Sequence, residues 1–183
     1  MVEIDDFLEF PDRLVKFAKE CEFKDEINPI DGVVYPHICK DIPENILNDV
    51  LFNLTYKVLA REPVNPLCFL RMSPDGVSCT HTFHTDNCMG GYSMMIYLQD
   101  EPKAGTGFAQ HIKTGAMSSI HEDLSQTIED CNDESKWVIY KRFEMKKNKA
   151  IIFDSQLFHV ALPIGGFGLD QSDSRIVFTC FFS

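Results

Sequence analysis

From about residue 67 onward the sequence breaks into short apolar runs separated by turn-forming residues, and this punctuation constrains the fold more than any other feature. Leu67-Cys68-Phe69-Leu70-Arg71-Met72 runs into Ser73-Pro74-Asp75-Gly76. Val77 to Phe83 comes next, then Tyr92 to Leu98 after Gly90-Gly91. Trp137 to Phe143, Ala150 to Phe153, Leu157 to Ala161 and Arg175 to Phe182 complete the series. Short strands with Gly and Pro between them point to a sandwich or barrel. The polar, acidic stretch from Lys113 to Ser135 reads as a helix plus loop inserted between strands.

The segment before residue 67 follows a different period. Leu14, Phe17, Ala18 and Cys21 recur at helical spacing behind Pro11, a residue suited to a first helical turn. After Pro43, Ile46, Leu47, Val50, Leu51, Leu54 and Val58 form one apolar stripe, with Glu44, Asn48, Asp49 and Lys57 elsewhere around the helix. Gly32 to Pro36 reads as a short strand between the two helices. The expected class is α+β, mainly β, with helices packed on an antiparallel double sheet. No repeat, low-complexity tract or linker divides the chain. Residues 1–183 are therefore expected to form a single domain, with 1–66 as helical support and 67–183 as the sheet core.

Composition excludes several function classes. Fifteen Phe among 183 residues argue against disorder, and no run approaches the ~20 apolar residues of a spanning helix. The acidic start, MVEIDDFLEFPD, is unlike a secretory signal, so a soluble, cytoplasmic protein is expected. A net charge of -11 repels a phosphate backbone and disfavours nucleic acid. The short basic run from Lys141 to Lys149 reads as a solvated strand or loop. Seven cysteines, odd in number and without a CxxC pair, read as reduced thiols rather than a disulfide or zinc framework.

His84-Thr85-Asp86 carries the chemistry. It stands at the end of an apparent strand, where side chains i and i+2 share a face and can reach one ion. His159 supplies a third ligand from the apolar run Leu157-Phe158-His159-Val160. Two imidazoles and one carboxylate, with other coordination positions open, form the facial arrangement of non-haem Fe(II) oxygenases. Each residue alone has a plainer reading, a surface histidine for His84 and a core histidine for His159. The fourth element is Arg175, which opens the last apolar strand. A buried guanidinium needs an anionic partner, and its planar fork suits a carboxylate. A dicarboxylate cosubstrate chelating iron at one end would present its other carboxylate there.

With these four elements in order, residues 67–183 resemble the Fe(II)- and 2-oxoglutarate-dependent oxygenases of the double-stranded β-helix fold, a jelly roll of cupin type. The prolyl-4-hydroxylase-like branch is the nearest, through Ile96-Tyr97-Leu98-Gln99 and Ala104-Gly105-Thr106-Gly107-Phe108. The resemblance assigns His84, Asp86 and His159 to iron and Arg175 to the distal carboxylate of 2-oxoglutarate. Tyr97 matches a tyrosine whose hydroxyl assists that grip in some members, with an ordinary strand aromatic as the competing reading. Two features depart from the branch. Gly165 to Asp170 lengthens the interval from His159 to Arg175, and no double glycine precedes Thr106.

The implied activity is that of a dioxygenase using Fe(II), 2-oxoglutarate and O2. It hydroxylates an unactivated C–H of a peptidyl prolyl residue or a small molecule, releasing succinate and CO2. Asp86 favours hydroxylation, since related halogenases leave that ligand position open. The alternative is a non-catalytic cupin-type metal- or ligand-binding protein, which would have no need of Arg175. Peptide and small-molecule substrates both remain open, and the sequence is silent on oligomeric state. Among other residues, His81 is expected on the opposite strand face, and His111 and His121-Glu122-Asp123 at the surface. Arg71 and Trp137 read equally as packing or as substrate contacts. Gly165 to Gly168 reads as a mobile loop near the iron.

Overall fold

A computed structural model describes residues 1–27, 32–120 and 124–183. Its seven-stranded sheet contains β1 (Val2–Ile4), β2 (Lys24–Ile27), β3 (Val34–Cys39), β4 (Leu67–Ser73), β5 (Tyr92–Tyr97), β8 (Ala150–Asp154) and β10 (Arg175–Phe182). The order across that sheet is β1-β8-β5-β10-β4-β3-β2. The smaller sheet has the order β7-β6-β9, formed by β6 (Glu101–His111), β7 (Trp137–Met145) and β9 (His159–Leu162). All pairings are antiparallel. The mainly β jelly-roll architecture expected from the strand punctuation is the one observed.

The helices cover the outer face of the large sheet. α1 (Pro11–Glu20) begins on proline and buries Leu14 and Ala18. α2 (Glu44–Leu54) buries Ile46, Val50 and Leu54, then continues into a π-helical turn at Thr55–Leu59. These side chains pack with Leu70 of β4, Met94 and Ile96 of β5, Ile152 of β8, and Ile176, Phe178, Cys180 and Phe182 of β10. The opposite face of the same strands looks between the sheets. There Tyr97, Phe108, Phe143, Met145, Ile151, Phe153 and Val177 form a second core.

β10 is therefore buried on both faces along its whole length. That explains its nearly unbroken apolar sequence, since a strand covered on both sides has no polar face to present. The period-2 geometry of the strand still assigns each residue a side. Ile176, Phe178, Cys180 and Phe182 meet the helices. Arg175, Val177, Thr179 and Phe181 line a cavity between the sheets.

Three local outcomes differ from the sequence reading. The run Val77 to Phe83 forms no regular strand, because its backbone bonds go to loops. Thr82 N–H donates to Asn132 Oδ1 and Phe83 N–H to the Cys131 carbonyl. The glycine-bearing segment 101–111 is the longest strand, held between β7 and β9 despite its low strand propensity. Residues 1–66 contribute β1 and β2 to the large sheet in addition to the two expected helices and the expected strand between them, which is β3. β1 pairs with β8 through Val2, Glu3 and Ile4. Its acidic sequence hid a strand that needs only edge pairing.

The loop after β9 is anchored rather than loose. Phe167 N–H donates to the Ser73 carbonyl, Asp75 N–H to Gly168 and Val77 N–H to Gly165. Gly166 sits at φ 78°, and a Cβ there would lie 2.3 Å from the Pro74 carbonyl oxygen. Glycine is what allows this loop to lie flat on the end of β4. The loop thus closes the sandwich at the end where Arg175 begins β10, which corrects the expectation of a mobile segment near the metal ligands.

Candidate metal centre and anion pocket

His84, Asp86 and His159 converge on one point, with all their ligand atoms within 4.8 Å of one another. The regular strand expected to carry His84 and Asp86 is absent, and backbone pairing does its work instead. His84 and His159 exchange two backbone hydrogen bonds, of 3.1 and 2.9 Å. This antiparallel bridge adds His84 to the edge of the small sheet beside β9. Asp86 N–H then donates to the Ser155 carbonyl at 2.8 Å, fixing the third ligand from the strand end opposite.

Each imidazole is also oriented from behind. His159 Nδ1 lies 2.9 Å from the Leu157 carbonyl and His84 Nδ1 lies 3.2 Å from the Thr82 carbonyl. A carbonyl can only accept, so each Nδ1 carries a proton, and in the neutral ring each Nε2 presents a lone pair. Asp86 Oδ2 lies 3.2 Å from His159 Nε2, and Oδ1 lies 3.8 Å from His84 Nε2. Ser93 donates to Asp86 Oδ2 at 3.1 Å and is itself 2.9 Å from Ser155 Oγ. Phe153 packs edge-on against the His159 ring. His159 Nε2 is buried and faces the Asp86 carboxylate. Two imidazole lone pairs facing a carboxylate are satisfied together by a cation.

The electrostatics agree with that assignment. Burial acts against the charge of Asp86, but His159 and then His84 outweigh it and hold the carboxyl at about 2. Desolvation and then the neighbouring His159 pull His84 down to about 4. Burial also opposes a charge on His159, yet Asp86 prevails and its pKa is raised. The cluster therefore offers a carboxylate, a His84 whose neutral form is favoured, and a His159 at whose Nε2 a proton held by Asp86 competes with a metal.

Arg175 lies deeper in the same cavity and is 2% exposed. Its Nη2 donates to the Gly105 carbonyl at 3.3 Å, while its Nε is buried without a partner. Gly105 has φ 148°, and a Cβ there would lie 1.9 Å from the Phe143 carbonyl oxygen. Only glycine lets β6 approach β7 closely enough to hold that carbonyl in place. Burial lowers the guanidinium to about 10, which leaves it charged at neutral pH. No carboxylate among the described residues pairs with it. A buried cation in this condition is costly until an anion reaches it.

Tyr97 is fully buried behind this wall, and its hydroxyl donates to Thr106 Oγ1 at 2.8 Å. Burial pushes the phenol up to about 12. Thr106, rather than the phenol, lines the cavity. The sequence reading passed over Ser93, Ser155 and Thr106 as functional side chains. Their signal was a small polar residue set among apolar neighbours, which is common in strands and gains meaning only from what it faces.

The remaining candidates fall outside the cluster. His81 is exposed. His111 is fully buried, contrary to the surface position expected, and bridges Thr114 Oγ1 at 2.9 Å and Asp130 Oδ2 at 3.1 Å. It ties the end of β6 to the insert carrying α3 (Ser125–Glu129). Trp137 stacks on Phe83 in a third core and donates to the Asp130 carbonyl, so its role is packing. His121, Glu122 and Asp123 lie outside the described residues. Arg71 does line the cavity. No described helix is long and apolar enough to cross a membrane.

The sequence profile of one family, described as a family of unknown function (DUF6445), matches residues 1–182. No curated protein matches the sequence. Among solved structures, a prolyl-4-hydroxylase from Pseudomonas putida is similar, with TM-score 0.53 and 16% identity over 99% of this chain and 90% of that one. The non-haem α-ketoglutarate-dependent epimerase SnoN from nogalamycin biosynthesis is similar at TM-score 0.60 and 10% identity, over 98% of this chain and 76% of that one. At such identities the likeness establishes a shared fold.

Proposed function

This chain belongs to DUF6445, a family of unknown function, and we propose that it is an Fe(II)- and 2-oxoglutarate-dependent oxygenase acting as a hydroxylase. One observation carries the reading. Three lone-pair donors, on His84, Asp86 and His159, converge on one point in a cavity that also holds a fully buried guanidinium without an anionic partner. A divalent metal satisfies the first feature and a dicarboxylate the second, and 2-oxoglutarate is a dicarboxylate that can do both at once. The jelly-roll fold, shared with a prolyl-4-hydroxylase and an α-ketoglutarate-dependent epimerase, supports the same reading.

His84, Asp86 and His159 hold the metal, and the backbone carbonyls of Thr82 and Leu157 keep both imidazoles in the ligating tautomer. Ser93 fixes the carboxylate so that Asp86 presents its remaining lone pairs. Arg175 receives the distal carboxylate, and Thr106, oriented by Tyr97, stands beside it. Phe108 and Phe153 pack around His159 and keep water from its inner side. When bound, iron and 2-oxoglutarate supply an oxidation of a substrate C–H by dioxygen, with release of succinate and CO2. The presence of Asp86 as a third protein ligand favours hydroxylation over chemistry that needs that position open.

Succinate formation from 2-oxoglutarate, measured with Fe(II) and dioxygen in wild type and in Asp86→Ala, tests the reading. Wild type should turn over slowly even without a second substrate, and Asp86→Ala should lose both turnover and metal. Tight metal retention with no 2-oxoglutarate binding would instead indicate a cupin-type binding protein.

A further inference from the structure

A second cation shares the cavity with Arg175. Arg71 lies on β4 at the register position of Val177, on the same inward face and one alternation from Arg175, which is opposite Ser73. The two positions are thus roughly 7 Å apart along the strands. Arg71 is half-buried, and its Nη2 donates to Cys79 Sγ at 3.5 Å, a weak acceptor. No carboxylate among the described residues forms an ion pair with it. It is close enough to disfavour a proton on His84, His159 and Arg175 alike.

Charge counting decides what this cation is for, given the proposed cosubstrate. Asp86 is the sole acidic side chain lining the cavity among the described residues. A divalent metal, Arg175 and Arg71 together exceed Asp86 by three positive charges. Dianionic 2-oxoglutarate removes two of them, spending its carboxylates on the metal and on Arg175. One positive charge is left over, and it belongs to the cation nearer the mouth. Apart from Thr179, opposite Phe69, the wall beside Arg71 is apolar, with Phe69 and Phe181 in ring contact at 5.8 Å and Met95 nearby.

We infer that Arg71 binds the carboxylate of the primary substrate, and that this substrate is a small carboxylic acid with an apolar skeleton. The inference rests on the oxygenase reading and deepens it. The guanidinium fork takes the carboxylate, the skeleton lies along Phe69 and Phe181, and a C–H is thereby held beside the metal ligands. A peptide segment with neutral backbone flanks would leave Arg71 buried against it without an anion.

The test uses the full chain loaded with Mn(II) and saturated with 2-oxoglutarate, and reads binding by titration calorimetry rather than turnover. Isovalerate and its neutral analogue isovaleramide are the probes. Isovalerate should bind at least ~10-fold more tightly than the amide, as expected for one charge-assisted pair. Arg71→Gln should erase that preference, Arg71→Lys should restore part of it, and 2-oxoglutarate should lose less affinity than isovalerate does. Thermal unfolding of both variants checks the fold, and Arg71→Lys carries the test if Arg71→Gln is unstable. Equal binding of acid and amide, or isovalerate binding unmoved by Arg71→Gln, would overturn the inference. So would an equal loss of 2-oxoglutarate, which would make Arg71 a cosubstrate residue. Failure of wild type to bind 2-oxoglutarate at all would overturn the oxygenase reading itself, and this inference with it.

Discussion

The two faces of β10 are buried to nearly the same degree and serve opposite ends. The face toward the helices carries Ile176, Phe178, Cys180 and Phe182, all apolar and all packed into one core. The face toward the small sheet carries Arg175, Val177, Thr179 and Phe181 around a cavity. The outer face stabilises the fold by removing apolar surface from water. On the inner face a guanidinium is held out of water with a single backbone carbonyl as partner, at a cost to the folded state. Burial by itself therefore does not mark a residue as structural. What distinguishes the faces is whether the polar groups buried on them are satisfied.

Substitutions on the two faces should separate cleanly. Phe178→Ala, on the outer face, should cost about 3–5 kcal/mol in urea unfolding. Metal affinity of the folded fraction should stay unchanged. A comparable loss of metal affinity would show that the faces are not independent. On the inner face, Arg175→Met should weaken 2-oxoglutarate binding by roughly 30-fold or more, measured by calorimetry on the Mn(II) form. The same variant should raise the thermal midpoint of the metal-free protein, because an unpaired buried cation is gone. A drop in that midpoint would show that Arg175 supports the fold.

The smallest effect is a pH dependence confined to the inner face. His159 has a raised pKa, so in the metal-free protein its protonated form pairs with Asp86. That pairing stabilises the fold below the unfolded histidine pKa and is lost as pH rises through the folded one. Metal uptake must displace the same proton. Apparent metal affinity should fall about tenfold per pH unit below the His159 pKa. Near one proton should be released per metal, seen by calorimetry in buffers of differing ionisation enthalpy. His84 and Asp86, held at about 4 and about 2, should contribute none above pH 5. No proton release at acidic pH would place the metal elsewhere.

How much of this was legible in the sequence depends on the range of the interaction that decides each residue. β4, β5, β7, β8 and β10 show in the sequence because each has an apolar pattern and a turn signal within a few residues. β1 and β6 do not, since an acidic start and a glycine-rich run become strands only through partners, β8 for one and β7 and β9 for the other. The triad was found by residue type and order, although the i, i+2 strand geometry that suggested it is replaced by backbone bonds to His159 and Ser155. His111 was misplaced at the surface because its partner Asp130 lies in a polar insert that looks solvated from sequence alone. Ser93 gave no sign and Thr106 showed only as part of a motif, without a role, because a hydroxyl in a strand gains its role from the atom it faces.

The sequence by itself determined the apolar periods, the turns, and the order of His84, Asp86, His159 and Arg175, because these depend on local stereochemistry and residue chemistry. The tertiary structure alone decided which buried groups are left without partners. The His159 Nε2 facing Asp86, the Arg175 without an anion and the nearby Arg71 are defined by atoms up to 104 residues apart in the chain, from Arg71 to Arg175. An unsatisfied group is a statement about everything around it, and only the folded chain supplies those surroundings.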